Sequence, residues 1–231
     1  MTDRQAAGRQ SSNRESSNRQ SGDRQPIDRE GVLLAAEALV RERGPAALTM
    51  RKLAAELGAA VTAIYWHVGN REALLDELVQ RTVGEMGQIE ARGATPAARA
   101  ESVALALRRK LRARPHLIAL VHERGLTELM MLPAQRALVH EAHAAGLRGT
   151  AAAEAVRVLQ FHVVGFVLVE RNRERAPRQQ PGEPELWDAE TAEQDPALAA
   201  TLAGVPDPER LFELSTRALI ASLWGFPRPK E

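Results

Sequence analysis

The chain has 231 residues, of which 44% are hydrophobic and 26% charged, and its formal net charge is +1. This ordinary globular composition suits one large or two small domains, and the balanced charge excludes binding to polyanions through net charge alone. The lack of cysteine excludes disulfides and thiolate metal sites. The longest apolar run, which begins at Val163, is far shorter than the roughly 20 residues of a membrane span, and the polar N-terminus lacks a signal-peptide core. We therefore expect a cytoplasmic protein with no membrane partner.

The N-terminal stretch carries an arginine at every fifth position, namely Arg4, Arg9, Arg14, Arg19, Arg24 and Arg29. A period of five fits neither a helix nor a strand, and the residues between are mostly Ser, Gln, Asn, Asp and Gly. This composition predicts a disordered, arginine-rich tail over residues 1–27. The tail is either simply solvated or acts as a flexible arm that contacts DNA phosphates or enters a minor groove.

Helical spacing of apolar residues begins after the tail, at Asp28. The first helix would turn inward Val32, Leu33, Ala36, Leu39 and Val40. Thr49 is suited to cap a short second helix over residues 49–57, and a third short helix is predicted over residues 61–67. A longer amphipathic helix begins at Arg71 and would bury Leu74, Leu75, Leu78 and Val79.

The two short helices are joined by the tripeptide Gly58-Ala59-Ala60, which predicts a helix-turn-helix. The second of them is barely two turns long, and Ile64 occupies its inward face. The side chains left to point outward are Thr62, Ala63, Tyr65, Trp66 and His67. A helix of this size fits the major groove of DNA, which is about 12 Å wide.

The outward residues suggest a division of roles on DNA. Small residues at the start of the recognition helix, Val61, Thr62 and Ala63, would let the backbone approach base edges and thymine methyls. Tyr65 and His67 would offer polar tips to phosphates. Trp66 either leans on the sugar-phosphate wall or covers the core of the motif. On the flanking helices, Arg51 would reach a guanine edge, and the phosphate contacts would come from Lys52 and Arg71.

The chain is again helical by pattern after a Gly-Ala-Thr-Pro break at residues 93–96. Predicted helices cover residues near 97–113, 115–123, 133–145, 150–173 and 208–225. A proline-rich acidic stretch over residues 175–208 is predicted as a long loop with a turn of helix near Leu198. Because no segment alternates like a strand, we predict an all-α fold, with a helix-turn-helix domain over residues 28–92 and a second helical domain over residues 93–231.

Two of these helices are apolar on more than one face. The helix near 150–173 carries two apolar sets, which are Val156, Leu159, Val163 and Phe166, and Val158, Phe161, Val167 and Val169. The helix near 208–225 has Leu211, Leu214 and Ala218 on one stripe and Phe212, Leu219, Leu223 and Phe226 on another. Such helices are buried on two sides. A homodimer interface through both helices satisfies this requirement, and so does deep burial in a monomer.

A pocket for a small-molecule effector is also predicted in the second domain. Its candidate residues are two histidines in apolar surroundings and three large apolar residues: His116, His162, Met130, Met131 and Phe166. Either histidine is equally well explained as a core residue with satisfied ring nitrogens. His140 and His143 share a helical face, but no third ligand can be named, so no metal and no cofactor is predicted.

The stretch LTMRKLAAELGAAVTAIYWHVGNREALLDEL resembles the DNA-binding domain of the tetracycline-repressor-like (TetR) family, and YWHVGN followed by REALLDEL is especially similar to the tetracycline-repressor branch. The resemblance covers about residues 30–80, and a weaker one continues in RPHLIALV, AAGL and VVGFVLVE. It implies a homodimer with two recognition helices in successive major grooves of a near-palindromic operator. On this basis we predict a ligand-responsive transcriptional repressor that a small-molecule effector releases from DNA.

Matched residue by residue, the resemblance assigns DNA contacts in this chain. The base-reading positions are Arg51, Val61, Thr62 and Ala63, and the phosphate-contacting positions are Thr49, Tyr65, His67 and Arg71. Met50, Lys52 and Trp66 complete the predicted DNA-binding set. Residues 30–94 contain seven Lys and Arg against nine Asp and Glu, so affinity for DNA must come from where the charges are placed.

The chain also departs from the family pattern. Ala60 stands where the family usually has a Ser or Thr that caps the recognition helix, and its loss costs about 1 kcal/mol of local stability. When the glycines are aligned at Gly165, Phe161 and Val169 stand where the tetracycline branch has a histidine and a glutamate that serve a magnesium-bound drug. The resemblance therefore does not carry that effector over to this chain.

Two other classes of function compete with the regulator. A ligand-independent or architectural DNA-binding protein would keep the dimer and the helix-turn-helix but would need no effector cavity. A small helical enzyme is a weaker alternative, because the sequence shows no paired carboxylates, nucleophile–base spacing, phosphate loop or metal motif. We therefore expect a protein that is not an enzyme.

Overall fold

The structure is a computed structural model that describes residues 27–175, 193–204 and 206–225. Over these residues the chain forms ten α-helices and one short 3₁₀ segment, Pro45–Ala47, and no strand. The helices are α1 (Arg29–Arg43), α2 (Met50–Leu57), α3 (Val61–Val68), α4 (Arg71–Met86), α5 (Pro96–Arg112), α6 (Pro115–Arg124), α7 (Thr127–Ala144), α8 (Gly149–Arg175), α9 (Pro196–Ala203) and α10 (Pro208–Gly225). The predicted all-α fold is confirmed.

The arginine-rich tail predicted over residues 1–27 lies outside the described residues, apart from its last residue. Of the loop predicted over residues 175–208, residues 176–192 and 205 also lie outside them. Within that second stretch, the turn of helix predicted near Leu198 is present as the two-turn helix α9.

Helix α7 begins earlier than the sequence predicted. The prediction placed its start at residue 133 because proline usually opens a helix, whereas α7 begins at Thr127 and carries Pro133 in its interior. The buried side chains of Met130, Met131 and Ala134 anchor the turns on both sides of the proline. Packing of this face compensates for the one backbone hydrogen bond that proline cannot donate.

The N-terminal helices α1 to α4 enclose a core of their own. All the inward residues predicted for α1 and α4 are buried, and they pack with Leu53 of α2 and Ile64 of α3. Burial of each such Leu or Ile contributes about 1.5–3 kcal/mol. Side-chain caps fix where three of the helices begin: Asp28, Thr49 and Asn70 each accept a hydrogen bond from the backbone N–H three residues on.

A single arginine ties α4 to the elements around it. The Arg71 guanidinium donates to the carbonyl oxygens of Leu48 at 2.7 Å and Pro45 at 2.9 Å, which close the segment before α2. It also pairs with Glu123 of α6 at 2.7 Å. Arg71 therefore joins the helix-turn-helix to helix α6 of the second domain.

Two further polar contacts hold α4 against the second domain. The guanidinium of Arg124, at the end of α6, donates two hydrogen bonds to the carboxylate oxygens of Asp76, at 2.6 and 3.1 Å. At the other end of α4, the Lys110 ammonium of α5 donates to the Met86 carbonyl oxygen. Helix α4 is thus attached to the second domain along its whole length.

The second domain is centred on α5, which packs against α7, α8 and α10. Its interior contains a buried arginine: Arg108 is 2% exposed and pairs with Glu170 through contacts of 2.5 and 3.1 Å. Arg108 also reaches Glu209 at 2.5 Å and lies 4.8 Å from the ring centre of Phe212. Burial alone lowers the pKa of Arg108, but its hydrogen bonds to the two carboxylates raise that pKa more, so the guanidinium stays charged.

Helix α8 is long and apolar enough, by length and composition alone, to cross a membrane, and among the described residues it is the one helix that passes this test. The core helices of soluble proteins pass the same test. One face of α8 carries Val156, Leu159, Val163 and Val167 into the core of the domain.

Candidate nucleic-acid interface

The recognition helix α3 is held by a tight turn and an apolar inner face. Gly58 ends α2 in the left-handed conformation, with φ at +61°, and the N–H of Ala59 then donates to the Ala54 carbonyl oxygen at 2.9 Å. The next residues start α3 immediately, and Ile64 and Val68 are its buried side chains. The turn and this inner face leave the opposite side of α3 as the outer surface of the domain.

The outer face of α3 presents its aromatic side chains to solvent. Trp66 is 89% exposed and Tyr65 is 48% exposed, and together with Thr62 they border a shallow hollow. Of the two interpretations of Trp66, the one in which its indole covers the core does not fit this exposure. Val61, Ala63 and His67 are half-buried at the edges of the same face. Side chains of this kind are free to contact a partner.

Helix α2 contributes a cationic edge beside α3. Arg51 and Lys52 are exposed, and neither forms an ion pair with the described part of the chain. Thr49 is exposed at the N-terminus of α2, where its hydroxyl is occupied as a cap by the Lys52 N–H at 3.2 Å. Unpaired cations next to a protruding helix suit contact with a phosphate backbone.

Two residues of the predicted set have other positions than expected. Met50 is buried in the core, because the first turn of α2 directs it inward, so it cannot contact DNA directly. The Arg71 guanidinium is bound by two carbonyl oxygens and Glu123, in contrast to the phosphate contact that was predicted. Sequence spacing identifies the helix on which a residue lies but does not reveal a carbonyl group that is distant in sequence.

The N-terminus of α3 lacks a side-chain cap, as the alanine at position 60 predicted. We expect Ala60→Ser to stabilise the protein by about 1 kcal/mol, because the new hydroxyl would accept a hydrogen bond from a free N–H in the first turn. Urea denaturation at fixed protein concentration measures the change. Ala60→Val, which adds volume without an acceptor, should show no such gain. Equal stabilisation by both variants would contradict the capping explanation.

The five residues predicted to form an effector pocket are divided among α6, α7 and α8, and His162 and Phe166 are the two with a described ring contact. Met130 and Met131 are buried in the packed face of α7. His116 of α6 is half-buried, and its two ring nitrogens have no hydrogen-bond partner among the described residues. Burial lowers the pKa of His116, and the charges that act on it include Glu37 and Arg41 of α1. His116 therefore faces the junction between the domains.

His162 and Phe166 belong to a packed cluster between α8 and α10. The His162 ring stacks on Phe212 with centroids 5.4 Å apart and meets Phe166 edge-on at 5.9 Å. Its Nε2 lies 3.2 Å from the Ser215 hydroxyl and 3.3 Å from that of Thr216. Burial lowers the pKa of His162. His162 therefore fits the alternative of a core histidine with a satisfied ring nitrogen. Periodicity predicted its burial but could not distinguish the wall of a cavity from a packed core.

Two open clefts flank the linker between α4 and α5, and the sequence signalled neither of them. The larger, of about 540 Å³, lies between the end of α4, the linker and α7. The other, of about 530 Å³, lies between the linker and α5. Neither is lined by any of the five predicted pocket residues.

The outward faces of α8 and α10 expose large apolar side chains. Phe161 of α8 and Leu214 of α10 are 65% and 64% exposed. The same faces also expose Val158, Leu168, Val169 and Leu211. Phe161 and Val169, which stand at the drug-binding positions of the tetracycline branch, therefore point away from the interior of the domain. An apolar surface of this kind on two helices marks an interaction site.

The N-terminal helices match a known family. Residues 32–78 match the family model described as bacterial regulatory proteins, tetR family. In its N-terminal domain the chain is 51% identical over 49 residues to the class D tetracycline repressor of Escherichia coli, which covers 21% of this chain and 22% of that protein. It is 46% identical over 54 residues to the class A repressor from transposon 1721 of Escherichia coli, covering 23% and 25%. The matched stretch spans about a quarter of the length of these relatives.

Solved structures extend the similarity to the whole fold. Apo ActR from Streptomyces coelicolor has a TM-score of 0.65 at 25% identity, covering 86% of this chain and 95% of that one. The TetR family protein ActR in complex with actinorhodin has a TM-score of 0.63 at 26% identity, covering 86% and 97%. Both the N-terminal helix-turn-helix and the helical second domain are shared with these proteins.

Proposed function

We propose that this chain, whose N-terminal domain belongs to the tetR family of bacterial regulatory proteins, is a ligand-responsive transcriptional repressor. It binds a near-palindromic operator as a homodimer, and a small-molecule effector releases it. The observation that carries the proposal is the outer face of α3, where Thr62, Tyr65 and Trp66 are exposed on a two-turn helix.

The exposure of these side chains supports an assignment of contacts. Thr62, with Val61 and Ala63 beside it, faces the base edges, where short side chains allow close approach of the backbone. Arg51 reaches a guanine edge from α2. Phosphates are contacted by Thr49, Lys52, Tyr65 and His67, and Trp66 leans on the sugar-phosphate wall. Met50 is buried in the core beneath the exposed residues of α2 and makes no contact with DNA in this proposal.

Dimerisation supplies the symmetry that a near-palindromic operator requires. The exposed apolar faces of α8 and α10 meet their symmetry mates in a four-helix bundle. This arrangement also accounts for an apolar helix in a cytoplasmic protein, since both faces of α8 are then buried without a membrane. The two copies of α3 would be about 34–36 Å apart, one turn of DNA.

Effector release requires a connection between the two domains, and α4 supplies it. Arg71 and Asp76 attach α4 to α6, and a change in α6 therefore alters the position of the helix-turn-helix. An effector acts only by preferring one spacing of the two recognition helices over the other. The likeness to ActR, whose complex with actinorhodin has been solved, supports a small-molecule effector without identifying it.

Selection of bound DNA from a random pool, repeated with candidate effectors, tests the proposal as a whole. We expect enrichment of two inverted half-sites whose centres are one helical turn apart, with a two-fold symmetric footprint. Affinity should fall steeply as salt rises, because several phosphates are neutralised. A pool in which no sequence is enriched contradicts the proposal. Enrichment that no compound in a chemically wide library reverses favours the ligand-independent alternative.

Trp66→Ala should weaken operator binding about ten- to hundredfold, because the variant loses one contact worth about 1–3 kcal/mol. Its melting temperature should not change, since the indole is almost fully exposed. Leu34→Ala is the matched control, because Leu34 is an exposed apolar residue of α1 outside the recognition helix. Fluorescence anisotropy with labelled operator measures both variants, and an equal loss of affinity in the two would contradict a specific role for α3.

A further inference from the structure

The larger cleft beside the linker has the size and position of a ligand site. Its volume of about 540 Å³ falls within the range of about 300–1,000 Å³ that is usual for small-molecule sites. One wall comes from the end of α4 and the linker, at Val83 and residues 87–89, and the other comes from α7. The cleft is therefore bounded by the connection to the helix-turn-helix on one side and by the second domain on the other.

The walls of this cleft are mainly apolar. Val83 and Ile89 line the α4 side, and Leu132, Pro133 and Ala137 line the α7 side. Leu132 is among the large apolar residues that this structure leaves exposed. An apolar body that enters the cleft would remove this surface from water, with a gain of about 25 cal/mol for each Å² buried.

Arg136 is the one charged residue among those that line the cleft, and it is exposed. It forms no ion pair or hydrogen bond with the residues that the structure describes, whereas Arg81 of α4 pairs with Glu30 and Arg92 of the linker pairs with Glu90. A guanidinium without a partner, at the edge of an apolar wall, is suited to bidentate recognition of a carboxylate or sulfonate.

No carboxylate lines the cleft, and the adjoining Glu85 and Glu90 are paired with Arg81 and Arg92. The carbonyl end of α4 carries partial negative charge near the cleft, but the Lys110 ammonium already binds the Met86 carbonyl oxygen there. Gln88 is the neutral polar side chain that lines the cleft together with Arg136. The cleft has apolar walls, one guanidinium without a partner among the described residues, and no carboxylate in its lining. This combination favours an amphipathic anion.

We infer that the cleft between α4, the linker and α7 binds a small amphipathic anion, in which an apolar body lies against Leu132 and Ile89 and a single carboxylate or sulfonate pairs with Arg136. As a regulatory site, the cleft rests on the proposed function. A ligand wedged between the α4 end and α7 favours one relative position of the two walls, and so one spacing of the recognition helices.

Binding to the full-length protein is measured by isothermal titration calorimetry without DNA, using two matched pairs of probes. 1-Naphthaleneacetate is compared with 1-naphthaleneacetamide, and decanoate below its micellar concentration with decanamide, so that shape is held constant while charge changes. We expect each anion to bind at least about tenfold more tightly than its amide. Arg136→Gln should abolish this difference, and Arg136→Lys should restore it in part.

Arg109→Gln is the matched control, because Arg109 is an exposed arginine of the neighbouring cleft and should leave binding unchanged. The inference is overturned if neither anion binds better than its amide, if Arg136→Gln binds the anions as the original protein does, or if Arg109→Gln loses as much affinity. Circular dichroism verifies that each variant is folded, which is expected because both arginines are exposed. Anion binding by a protein that selects no DNA would contradict the proposed function alone. DNA selection without charge-dependent binding would contradict the cleft alone.

Discussion

Phe161→Glu is expected to separate the subunits of the proposed homodimer and to reduce affinity for operator DNA at least about hundredfold. Phe161 is the most exposed residue of the apolar face of α8, and the proposed interface would bury the new carboxylate in apolar surroundings. The loss of DNA affinity follows because the second recognition helix of a dimer binds at a high effective concentration, which a monomer lacks.

Sedimentation velocity at micromolar concentration and operator titration measure the two effects. Phe161→Leu keeps the apolar surface and should remain dimeric. Leu34→Glu places the same charge on an exposed apolar residue of α1, outside the dimer surface, and should leave the oligomeric state unchanged. A dimeric Phe161→Glu protein with undiminished DNA affinity would mean that the subunits meet elsewhere.

Glu170→Ala should destabilise the protein by about 3–5 kcal/mol, which is a large share of the stability of a typical domain. Arg108 is buried and would keep a single carboxylate partner, Glu209, which is itself largely exposed. A buried guanidinium left with incomplete pairing bears the cost of its desolvation. Urea denaturation at fixed protein concentration measures the change, since the stability of the proposed dimer would depend on concentration.

Glu174→Ala is the control for the buried pair. Glu174 lies one turn further along α8 and pairs with Arg112 at 3.0 Å, but both side chains are substantially exposed, so the loss should be under about 1 kcal/mol. The double variant Arg108→Met with Glu170→Leu removes both charges and should recover much of the stability lost by Glu170→Ala. Equal effects of Glu170→Ala and Glu174→Ala would show that burial does not set the strength of the pair.

The sequence predicted most of what depends on local periodicity. The starts of α1 to α4, the inward position of Ile64 and the outward positions of Tyr65 and Trp66 follow from helical spacing and from residues that begin or end a helix. The sequence also predicted the two apolar faces of α8. A helix that is apolar around most of its surface needs burial on two sides, and packing against one neighbouring element covers only one of them.

What depends on contacts between distant residues could not be predicted. The pairing of Arg108 with Glu170 joins positions 62 residues apart, and the hydrogen bonds of Arg71 end on carbonyl groups that carry no signature in the sequence. His162 and Phe166 are two of the five residues predicted to line an effector pocket, and in the structure both pack against Phe212, which the sequence did not indicate. Periodicity predicts that a side chain is buried, but it does not identify the residues that pack against it.

The attachment of Arg71 bears on the exchange of domains between regulators. A chimera that transplanted only the helix-turn-helix onto a foreign sensor module would leave Arg71 without Glu123 and Asp76 without Arg124. The chimera would bind its DNA sequence, but binding of a ligand to the sensor module would no longer change its affinity for DNA. To preserve the response, the transplanted piece must extend through the end of α6, or the recipient must offer an acid and an arginine at the two matching places.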